Sequence, residues 1–177
     1  MDFSKLIQLQ LTSTTVIKPF KCTDEDLNGF LFEDAKHFQK ELLAVTYLLE
    51  DTIKNVTVAY FSLLADKISF NPEEKSVWNK LNRHIPNPKR RKSYPAVKIG
   101  RLAVNEKYGD NGVGTFILDN IKYAFTTTKR LGCRFLTVDA LNSAIPFYEK
   151  NGFRFFTESD KDDETRLMFY DLINFVS

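Results

Sequence analysis

Residues 97–114 constrain the fold of this chain more than any other stretch. They read V-K-I-G-R-L-A-V-N-E-K-Y-G-D-N-G-V-G, an apolar run of strand character followed by a turn with three glycines. Apolar residues then recur at helical spacing over residues 112–129. A strand that passes through a glycine turn into a helix presents free backbone N–H groups to an anion at the helix N-terminus. The stretch is therefore a candidate pyrophosphate site, and an ordinary strand-to-helix turn is the alternative.

The glycine turn fits neither the dinucleotide-binding nor the Walker pattern, since no Lys-Ser or Lys-Thr pair follows the glycines. The segment G-D-N-G-V-G, residues 109–114, resembles the acetyl-CoA-binding motif Arg/Gln-x-x-Gly-x-Gly/Ala of the GCN5-related N-acetyltransferases (GNAT). Downstream, F-L-T-V-D-A, then Asn142, then A-I-P-F-Y-E-K-N-G-F resemble a second feature of this family. The resemblance covers residues 58–153. It departs from the family at Gly109, where Arg or Gln is usual.

This resemblance implies an α/β (α+β) protein with the GNAT fold, in a single domain over residues 1–177. Its central sheet would be mixed, mostly antiparallel and of about seven strands, flanked by helices and splayed open at the acetyl-CoA site. The apolar and β-branched patterns predict a first strand over residues 14–20. They also predict a hairpin whose strands run over residues 42–49 and 56–68.

The resemblance also assigns residues to acetyl-CoA. The backbone of Leu102, Ala103 and Val104 would hold the pantetheine arm and polarise the thioester carbonyl. Asn142 would contact CoA, and an N-cap or a neighbour of a helix over residues 143–150 is the alternative role for it. Backbone N–H groups of the glycine turn would hold the pyrophosphate, and the residues are Gly109, Asp110, Asn111, Gly112, Val113, Gly114 and Thr115.

Tyr148 matches the family tyrosine that protonates the leaving CoA thiolate. A phenol with a pKa near 10 is a competent acid for a thiolate with a pKa near 8.5 when it is suitably placed. The alternative for Tyr148 is an aromatic core residue; in its catalytic role, the neighbouring Phe147 would face the core instead. Four carboxylates are candidates for the general base, and the sequence selects none of them: Glu33, Asp34, Asp66 and Glu106.

These features predict an N-acetyltransferase that moves the acetyl group of acetyl-CoA directly to a primary amine. Motifs such as D-L-N-x-F-L and P-A-V-K-I-G-R-L-A-V also resemble acetyltransferase toxins that modify aminoacyl-tRNA, which would bring tRNA and an antitoxin as partners. The basic tract Lys89 to Lys92, with Arg83, His84 and Arg101, would then contact RNA or the 3′-phosphate of CoA, or be a solvated loop. A non-catalytic acyl-CoA-binding module is the third reading, supported by Gly109.

Composition limits the remaining classes of function. The formal net charge of +2 over 177 residues does not by itself require a nucleic-acid partner. Cys22 and Cys133 lie far apart and there are two histidines, so we expect no metal. No apolar run approaches the roughly 20 residues that cross a bilayer, and the N-terminus does not read as a signal peptide. We expect a cytoplasmic protein without membrane association, and a homodimer stays open.

Overall fold

A computed structural model describes residues 1–83, 85–86, 90–128 and 131–176. The strands are β1 (Leu6–Gln10), β2 (Val45–Asp51), β3 (Val56–Ser69), β4 (Ser93–Val104), β5 (Phe135–Leu141), β6 (Arg154–Phe155) and β7 (Thr165–Asp171). The α-helices are α1 (Glu25–Gly29), α2 (Ala35–Lys40), α3 (Lys75–Asn82), α4 (Val113–Thr127), α5 (Ile145–Lys150) and α6 (Ile173–Val176). The strands form one seven-stranded sheet in the order β1-β2-β3-β4-β5-β7-β6. A mixed sheet of seven strands with flanking helices confirms the predicted fold class.

The chain divides into two compact units. The first contains Met1–Leu64 and Ile99–Asn120, and the second contains Ala65–Lys98 and the residues from Ile121 onward. Because these boundaries fall within elements, β3, β4 and α4 each contribute residues to both units. Each unit is described below by itself.

In the first unit, β2 pairs antiparallel with β1 on one side and with β3 on the other, which confirms the predicted hairpin. Tyr60 of β3 is fully buried, and its hydroxyl donates a hydrogen bond to the carbonyl of Leu27 in α1 at 2.7 Å. This bond satisfies a buried phenol and ties the helical segment to the sheet. The core around Tyr60 consists of Leu11, Phe20, Cys22, Phe30, Leu31, Ala35, Leu48 and Ala103.

The helical segment of the first unit begins at an N-cap and contains a π-helical turn. The carboxylate of Asp24 accepts a hydrogen bond from the N–H of Leu27 at 3.2 Å, which satisfies one of the free amides of α1. Between α1 and α2, residues Phe30–Asp34 form the π-helical turn. This turn places Phe30 and Leu31 in the core.

The end of α2 has the geometry of a Schellman cap. The N–H of Leu43 donates to the carbonyl of Phe38 at 2.8 Å, and the N–H of Leu42 donates to the carbonyl of Gln39 at 3.1 Å. Leu42 has a φ of 58°. Glycine is the usual residue at this position of the cap, because a side chain there is strained.

The predicted first strand over residues 14–20 is wrong, since the first strand is β1 and residues 11–20 are irregular. A threonine-rich turn supplies the physical reason. The hydroxyl of Thr15 accepts the N–H of Thr12 at 2.9 Å, and the N–H of Thr15 donates to the carbonyl of Thr12 at 3.2 Å. These local bonds take up backbone groups that a strand would pair, and Pro19 has no N–H to offer a ladder.

In the second unit, β5 lies between β4 and β7. It pairs in parallel with β4 over three residue pairs, of which Lys98↔Thr137 is the last. On its other side, β5 pairs antiparallel with β7 along its whole length, and the short β6 pairs with β7. Half of the core residues of this unit are aromatic, and the core consists of Ile68, Trp78, Leu81, Ile85, Tyr94, Ala96, Phe135 and Phe156.

Candidate active site

The first unit holds the end of β4, where Asn105 fixes the direction in which the chain leaves the strand. Its N–H donates to the carbonyl of Val58 at 2.8 Å, and its side-chain Nδ2 donates to the carbonyl of Thr57 at 3.1 Å. Its Oδ1 accepts the N–H of Lys107 at 3.1 Å. Asn105 is 4% exposed, so these bonds satisfy a buried amide. The sequence prediction missed this residue, although an Asn directly after a strand is a signal for such a turn.

The three residues predicted to hold the pantetheine arm are the last three of β4. Ala103 is buried in the core of the first unit, whereas Leu102 and Val104 are half-buried. Alternation along a strand directs the side chains of Leu102 and Val104 to the face opposite Ala103. Any contact that a pantetheine makes with this strand end therefore involves backbone groups or the two larger side chains.

The glycine turn places open amides at the N-terminus of α4. Asp110 and Gly112 have φ values of 58° and 75°, in the left-handed region. The N–H of Phe116 donates to the carbonyl of Gly112 at 3.0 Å and begins the hydrogen bonding of the helix. Within the described part of the chain, no hydrogen bond is donated by the N–H groups of residues 110–115. This is the arrangement that binds an anion at a helix N-terminus.

Gly109 differs from Gly112, because nothing in the local backbone requires a glycine at residue 109. Its φ is −53°, which any residue adopts. A Cβ at this position would lie 3.5 Å from the carbonyl oxygen of Glu106, an ordinary van der Waals distance. The absence of an Arg or Gln side chain is therefore not imposed by local packing.

The second unit holds Asn142, which follows β5 and begins a 3₁₀ turn, Asn142–Ala144. Its Nδ2 donates to the carbonyl of Asp163 at 3.0 Å, and its N–H donates to the carbonyl of Glu164 at 3.3 Å. Asn142 thus joins the end of β5 to the loop before β7. Of the two alternative roles, an N-cap or a neighbour of the helix, the N-cap is wrong, because the N-cap residue of α5 is Ala144; Asn142 lies in the turn directly before the helix.

Tyr148 lies in α5 and is 6% exposed. Its ring packs edge-to-face against Phe147 and Phe153, with centroids 5.1 and 5.3 Å away. Burial raises the pKa of the Tyr148 phenol to about 12. Among the described residues, none forms a hydrogen bond with the Tyr148 hydroxyl. The phenol therefore carries its proton at neutral pH and has a donor available for a ligand.

The C-terminal cap of α5 explains why Tyr148 is buried. Gly152 has a φ of 84°, its N–H donates to the carbonyl of Glu149 at 2.9 Å, and the N–H of Phe153 donates to the carbonyl of Tyr148 at 3.0 Å. This Schellman cap brings the ring of Phe153 against that of Tyr148. Phe147, which was predicted to face the core in place of Tyr148, is only half-buried. Tyr148 is the more buried of the two, so this prediction is wrong.

Of the four candidate general bases, Asp66 is the one that the sheet holds in place. Glu33, Asp34 and Glu106 are exposed. The carboxylate of Asp66, at the end of β3, accepts a hydrogen bond of 2.5 Å from the hydroxyl of Thr137, which is 1% exposed. The side chain of Asp66 is therefore fixed by a buried partner, whereas the other three carboxylates lie on the surface.

The part of the chain that the structure describes contains no group of three or more His, Cys, Asp or Glu side chains that could hold a metal ion. Cys22 and Cys133 are free thiols. None of the described helices is long and apolar enough to span a membrane.

The sheet, the glycine turn and α5 together define the GNAT class of fold. Residues 83–155 match the family model for an acetyltransferase (GNAT) domain, and this segment contains β4, the glycine turn, α4, β5 and α5. This segment of the chain is therefore similar to a GNAT acetyltransferase domain, in agreement with the predicted family and enzyme class. No curated protein matches the sequence.

Solved structures share this fold over nearly the whole chain. A mutant of the toxin AtaT bound to the C-terminus of the antitoxin AtaR and acetyl-CoA is 20% identical, with a TM-score of 0.74 over 96% of this chain and 95% of that chain. AtaT complexed with acetyl-methionyl-tRNAfMet is 21% identical, with a TM-score of 0.75 over 97% of each chain. A tyrosine-to-phenylalanine mutant of KacT is 24% identical, with a TM-score of 0.75 over 96% of each chain. At these identities the likeness establishes the fold.

Proposed function

We propose that this chain, acting as one domain over residues 1–177, transfers the acetyl group of acetyl-CoA directly to the α-amine of an aminoacyl-tRNA. The observation that carries the proposal is Tyr148, a buried and protonated tyrosine at the position of the family's general acid. The open amides of residues 110–115 supply the second requirement, a place for the cosubstrate's phosphates. No metal takes part in the proposed reaction.

Acetyl-CoA would be held by the backbone of two neighbouring stretches of the chain. The N–H groups of residues 110–115 would bind the pyrophosphate, as the GNAT resemblance implies for the glycine turn, whereas the N–H of Gly109 donates to the carbonyl of Glu106 at 3.4 Å. The backbone of residues 102–104 would hold the pantetheine arm and polarise the thioester carbonyl. Pre-aimed N–H donors of this kind stabilise the oxyanion of acyl transfer by several kcal/mol in general. Asn142 would contact CoA through its side-chain Oδ1, since its Nδ2 donates a hydrogen bond to the carbonyl of Asp163.

The chemical step joins the amine nitrogen to the acetyl carbonyl carbon and breaks the carbon–sulfur bond. The neutral amine attacks, and the electron pair of the carbon–sulfur bond leaves with the sulfur as a thiolate. Tyr148 would donate its hydroxyl proton to that thiolate. The attacking nitrogen gives up one proton, to water or to a carboxylate. Tyr148 then regains a proton from solvent, so the enzyme returns to its starting state.

The choice of an aminoacyl-tRNA as the acceptor rests on similarity to the toxins. AtaT, which shares the fold, has been captured with acetyl-methionyl-tRNAfMet. The short motifs that resemble aminoacyl-tRNA-modifying toxins point the same way. An antitoxin is then an expected partner, and a gene for one directly upstream would support the proposal. Acetyl-CoA and charged tRNA meet in the cytoplasm, which is where we expect the protein to act.

A non-catalytic acyl-CoA-binding module is the second candidate. The observation in its favour is Gly109, which lacks the side chain that the family uses next to the phosphates although the position has space for one. Such a module would bind acetyl-CoA and transfer nothing. The protonated Tyr148 favours the enzyme instead, because a module without turnover does not need an acid.

Thiol release from acetyl-CoA tests the proposal. The purified protein is compared with Tyr148→Phe and with a matched control, Tyr123→Phe, since Tyr123 is 62% exposed and far along α4 from its N-terminus. The acceptors are charged tRNA, polyamines, free amino acids and peptide amines. We expect turnover with charged tRNA that Tyr148→Phe lowers roughly 100- to 10,000-fold, the range of general acid catalysis. Tyr123→Phe should leave the rate unchanged.

Other outcomes separate the alternatives. Turnover with a small amine but not with charged tRNA would retain the N-acetyltransferase and overturn the tRNA acceptor. Binding of acetyl-CoA without turnover on any acceptor would favour the non-catalytic module. Equal rates for the wild type and Tyr148→Phe would exclude Tyr148 as the acid.

A further inference from the structure

A cavity of about 650 Å³ lies in the second unit, and none of the residues assigned to acetyl-CoA is among the described residues that line it. Trp78, Asn82 and Arg83 line it from the end of α3, and Arg90, Arg91 and Lys92 line it from the segment that leads into β4. The predicted basic tract therefore contributes three of its cations to this cavity. Lys89 and His84 lie outside the described residues.

The charge of this cavity is not balanced by its surroundings. Among the lining residues that the structure describes there are four cations and no carboxylate. No ion pair to Arg83, Arg90, Arg91 or Lys92 is present among the described residues, whereas Arg101 of the first unit lies 3.7 Å from the carboxylate of Asp26. Like charges gathered around one cavity repel each other, and a bound anion relieves that repulsion.

A buried hydrogen-bond network holds the basic segment against α3. The hydroxyl of Tyr94 donates to Oδ1 of Asn82 at 2.6 Å and accepts the backbone N–H of Arg91 at 3.0 Å. Nδ2 of Asn82 donates to the carbonyl of Trp78 at 3.0 Å. Tyr94, Asn82 and Trp78 are each no more than 7% exposed. A buried tyrosine and a buried asparagine thus fix the backbone that carries the cations, which a solvated loop does not require.

Further backbone contacts fix the two ends of the segment. The N–H of Phe70 donates to the carbonyl of Lys92 at 2.8 Å. The guanidinium Nε of Arg90 donates to the carbonyl of Ile85 at 3.3 Å. The side chain of Arg90 therefore has a partner in the protein, and the side chains of Arg83, Arg91 and Lys92 are available to contact a ligand.

The chemistry of the lining selects phosphate over a nucleobase. Trp78 is 7% exposed, and its ring stacks on Tyr94 with centroids 5.4 Å apart, so its face is not offered to a base. Guanidinium groups match the geometry of phosphate oxygens, and several separate cations suit a polyanion with more than one phosphate.

We propose that this cavity binds backbone phosphates of RNA, and that the RNA bound there is the acceptor substrate. The assignment of that RNA as the acceptor rests on the proposed function, whereas the phosphate site itself does not. Arg83, Arg91 and Lys92 would contact the phosphates. Tyr94 and Asn82 are positioning residues, which act by holding the backbone of Arg91 in place.

Binding of labelled, deacylated tRNA at several salt concentrations tests this proposal, with fluorescence anisotropy as the readout and no acetyl-CoA present. The variant is Arg83→Ala/Arg91→Ala/Lys92→Ala. The control, Lys40→Ala/Arg154→Ala/Lys161→Ala, removes three exposed cations elsewhere, so that the net charge changes equally. We expect the cavity variant to bind roughly 100-fold more weakly at 0.1 M salt and to lower the slope of log K against log salt by about 2 to 3. The control should retain most of the affinity and the slope.

Tyr94→Phe tests the positioning role without a change of charge. It removes one hydroxyl and leaves Oδ1 of Asn82 without its donor, so we expect a several-fold loss of tRNA affinity in a protein that stays folded, with a melting temperature lowered by several degrees. Tyr123→Phe serves as its control. Equal tRNA affinity of Tyr94→Phe and the wild type would overturn the positioning role.

Two results would overturn the RNA site. One is a cavity variant that binds tRNA as well as the charge-matched control does. The other is a preference for CoA over dephospho-CoA in the wild type that the cavity variant loses, since the cavity would then hold the 3′-phosphate of CoA. The binding assay needs no turnover. Failure of the acetyltransferase proposal would therefore leave a positive tRNA result standing as an RNA site.

Discussion

At the residue scale, the raised pKa of Tyr148 has to be reconciled with its proposed role as an acid. A phenol with a pKa of about 12 would not yield its proton to a solvated thiolate with a pKa of about 8.5. Burial also raises the pKa of a thiol, and that of Cys133, in the same unit, is raised to about 11. A CoA thiolate released in a buried site would be similarly destabilised. Phenol and thiol would then have pKa values close enough for the proton to be transferred.

Gly109 provides a prediction about affinity for the cosubstrate. Gly109→Arg would add the cation that the family uses beside the phosphates, and its Cβ meets only an ordinary contact with Glu106. We expect acetyl-CoA to bind roughly 10- to 150-fold more tightly, because a charge-assisted hydrogen bond adds about 1.5 to 3 kcal/mol in favourable cases. Isothermal titration calorimetry measures the change.

Gly112→Arg is the matched control for Gly109→Arg. It adds the same charge three residues later, but the φ of 75° at Gly112 strains any side chain. We expect it to weaken acetyl-CoA binding. If Gly109→Arg failed to strengthen binding while the protein stayed folded, the pyrophosphate would not lie beside residue 109.

At the element scale, the cap of α2 predicts a stabilising substitution. Leu42 occupies the C′ position with a φ of 58° and is 92% exposed, so its side chain contributes strain and little burial. Leu42→Gly should raise the free energy of unfolding by about 1 kcal/mol, because glycine has no Cβ to strain. Urea unfolding monitored by circular dichroism measures this change.

Leu43→Gly is the control for the cap. Leu43 is also exposed but has no positive φ, so glycine there should be neutral or destabilising. A Leu42→Gly protein that is no more stable than the wild type would show that the strain of the left-handed conformation is offset elsewhere.

Elements whose conformation depends on neighbouring residues could be predicted from the sequence, whereas elements that depend on a partner strand could not. The glycine turn and the end of α5 were predictable, because Gly112 and Gly152 occupy positive-φ positions that favour glycine. Residues 14–20 have the composition of a strand, yet their threonines close a turn instead. Strand propensity depends on a partner strand that the local sequence does not reveal.

At the scale of the whole molecule, buried phenols and thiols predict loss of stability at alkaline pH. Burial raises the pKa values of Tyr60 and Cys22, as well as those of Tyr148 and Cys133. The unfolded chain loses these protons near pH 8.5 to 10, whereas the native protein keeps them. The native state then binds more protons, so the free energy of unfolding should fall as the pH rises above about 8.5. Urea unfolding from pH 7 to 11 measures the slope.

Tyr60→Phe isolates one part of this effect. It removes the hydroxyl and leaves the Leu27 carbonyl without its partner, so we expect a loss of about 1 to 3 kcal/mol at pH 7. Above pH 10 its stability should fall less steeply than that of the wild type. Tyr123→Phe, at an exposed site, should change neither quantity. An equal slope for Tyr60→Phe and the wild type would mean that Tyr60 ionises alike in both states.

The family resemblance, the seven-stranded sheet that it implies and the glycine turn could be predicted from the sequence, because short motifs in a fixed order indicate them. The cavity beside α3 could not be read from the basic tract. Its shape depends on the Tyr94 hydroxyl, which meets Asn82 twelve residues earlier in the chain and the backbone of Arg91. The fixed carboxylate of Asp66 likewise depends on Thr137, 71 residues away. Contacts between side chains that are distant in the sequence, rather than secondary structure, could not be predicted.

The most direct test of the central claim is the chemical identity of the product on charged tRNA. Charged tRNA is incubated with acetyl-CoA and the protein and is then digested with a nuclease. Mass spectrometry measures the mass of the terminal aminoacyl-adenosine. We predict a gain of one acetyl group on the amino acid with the wild type and with Tyr123→Phe, and almost none with Tyr148→Phe. Charged tRNA that stays unmodified while acetyl-CoA is bound, or a product formed equally by Tyr148→Phe, would contradict this account.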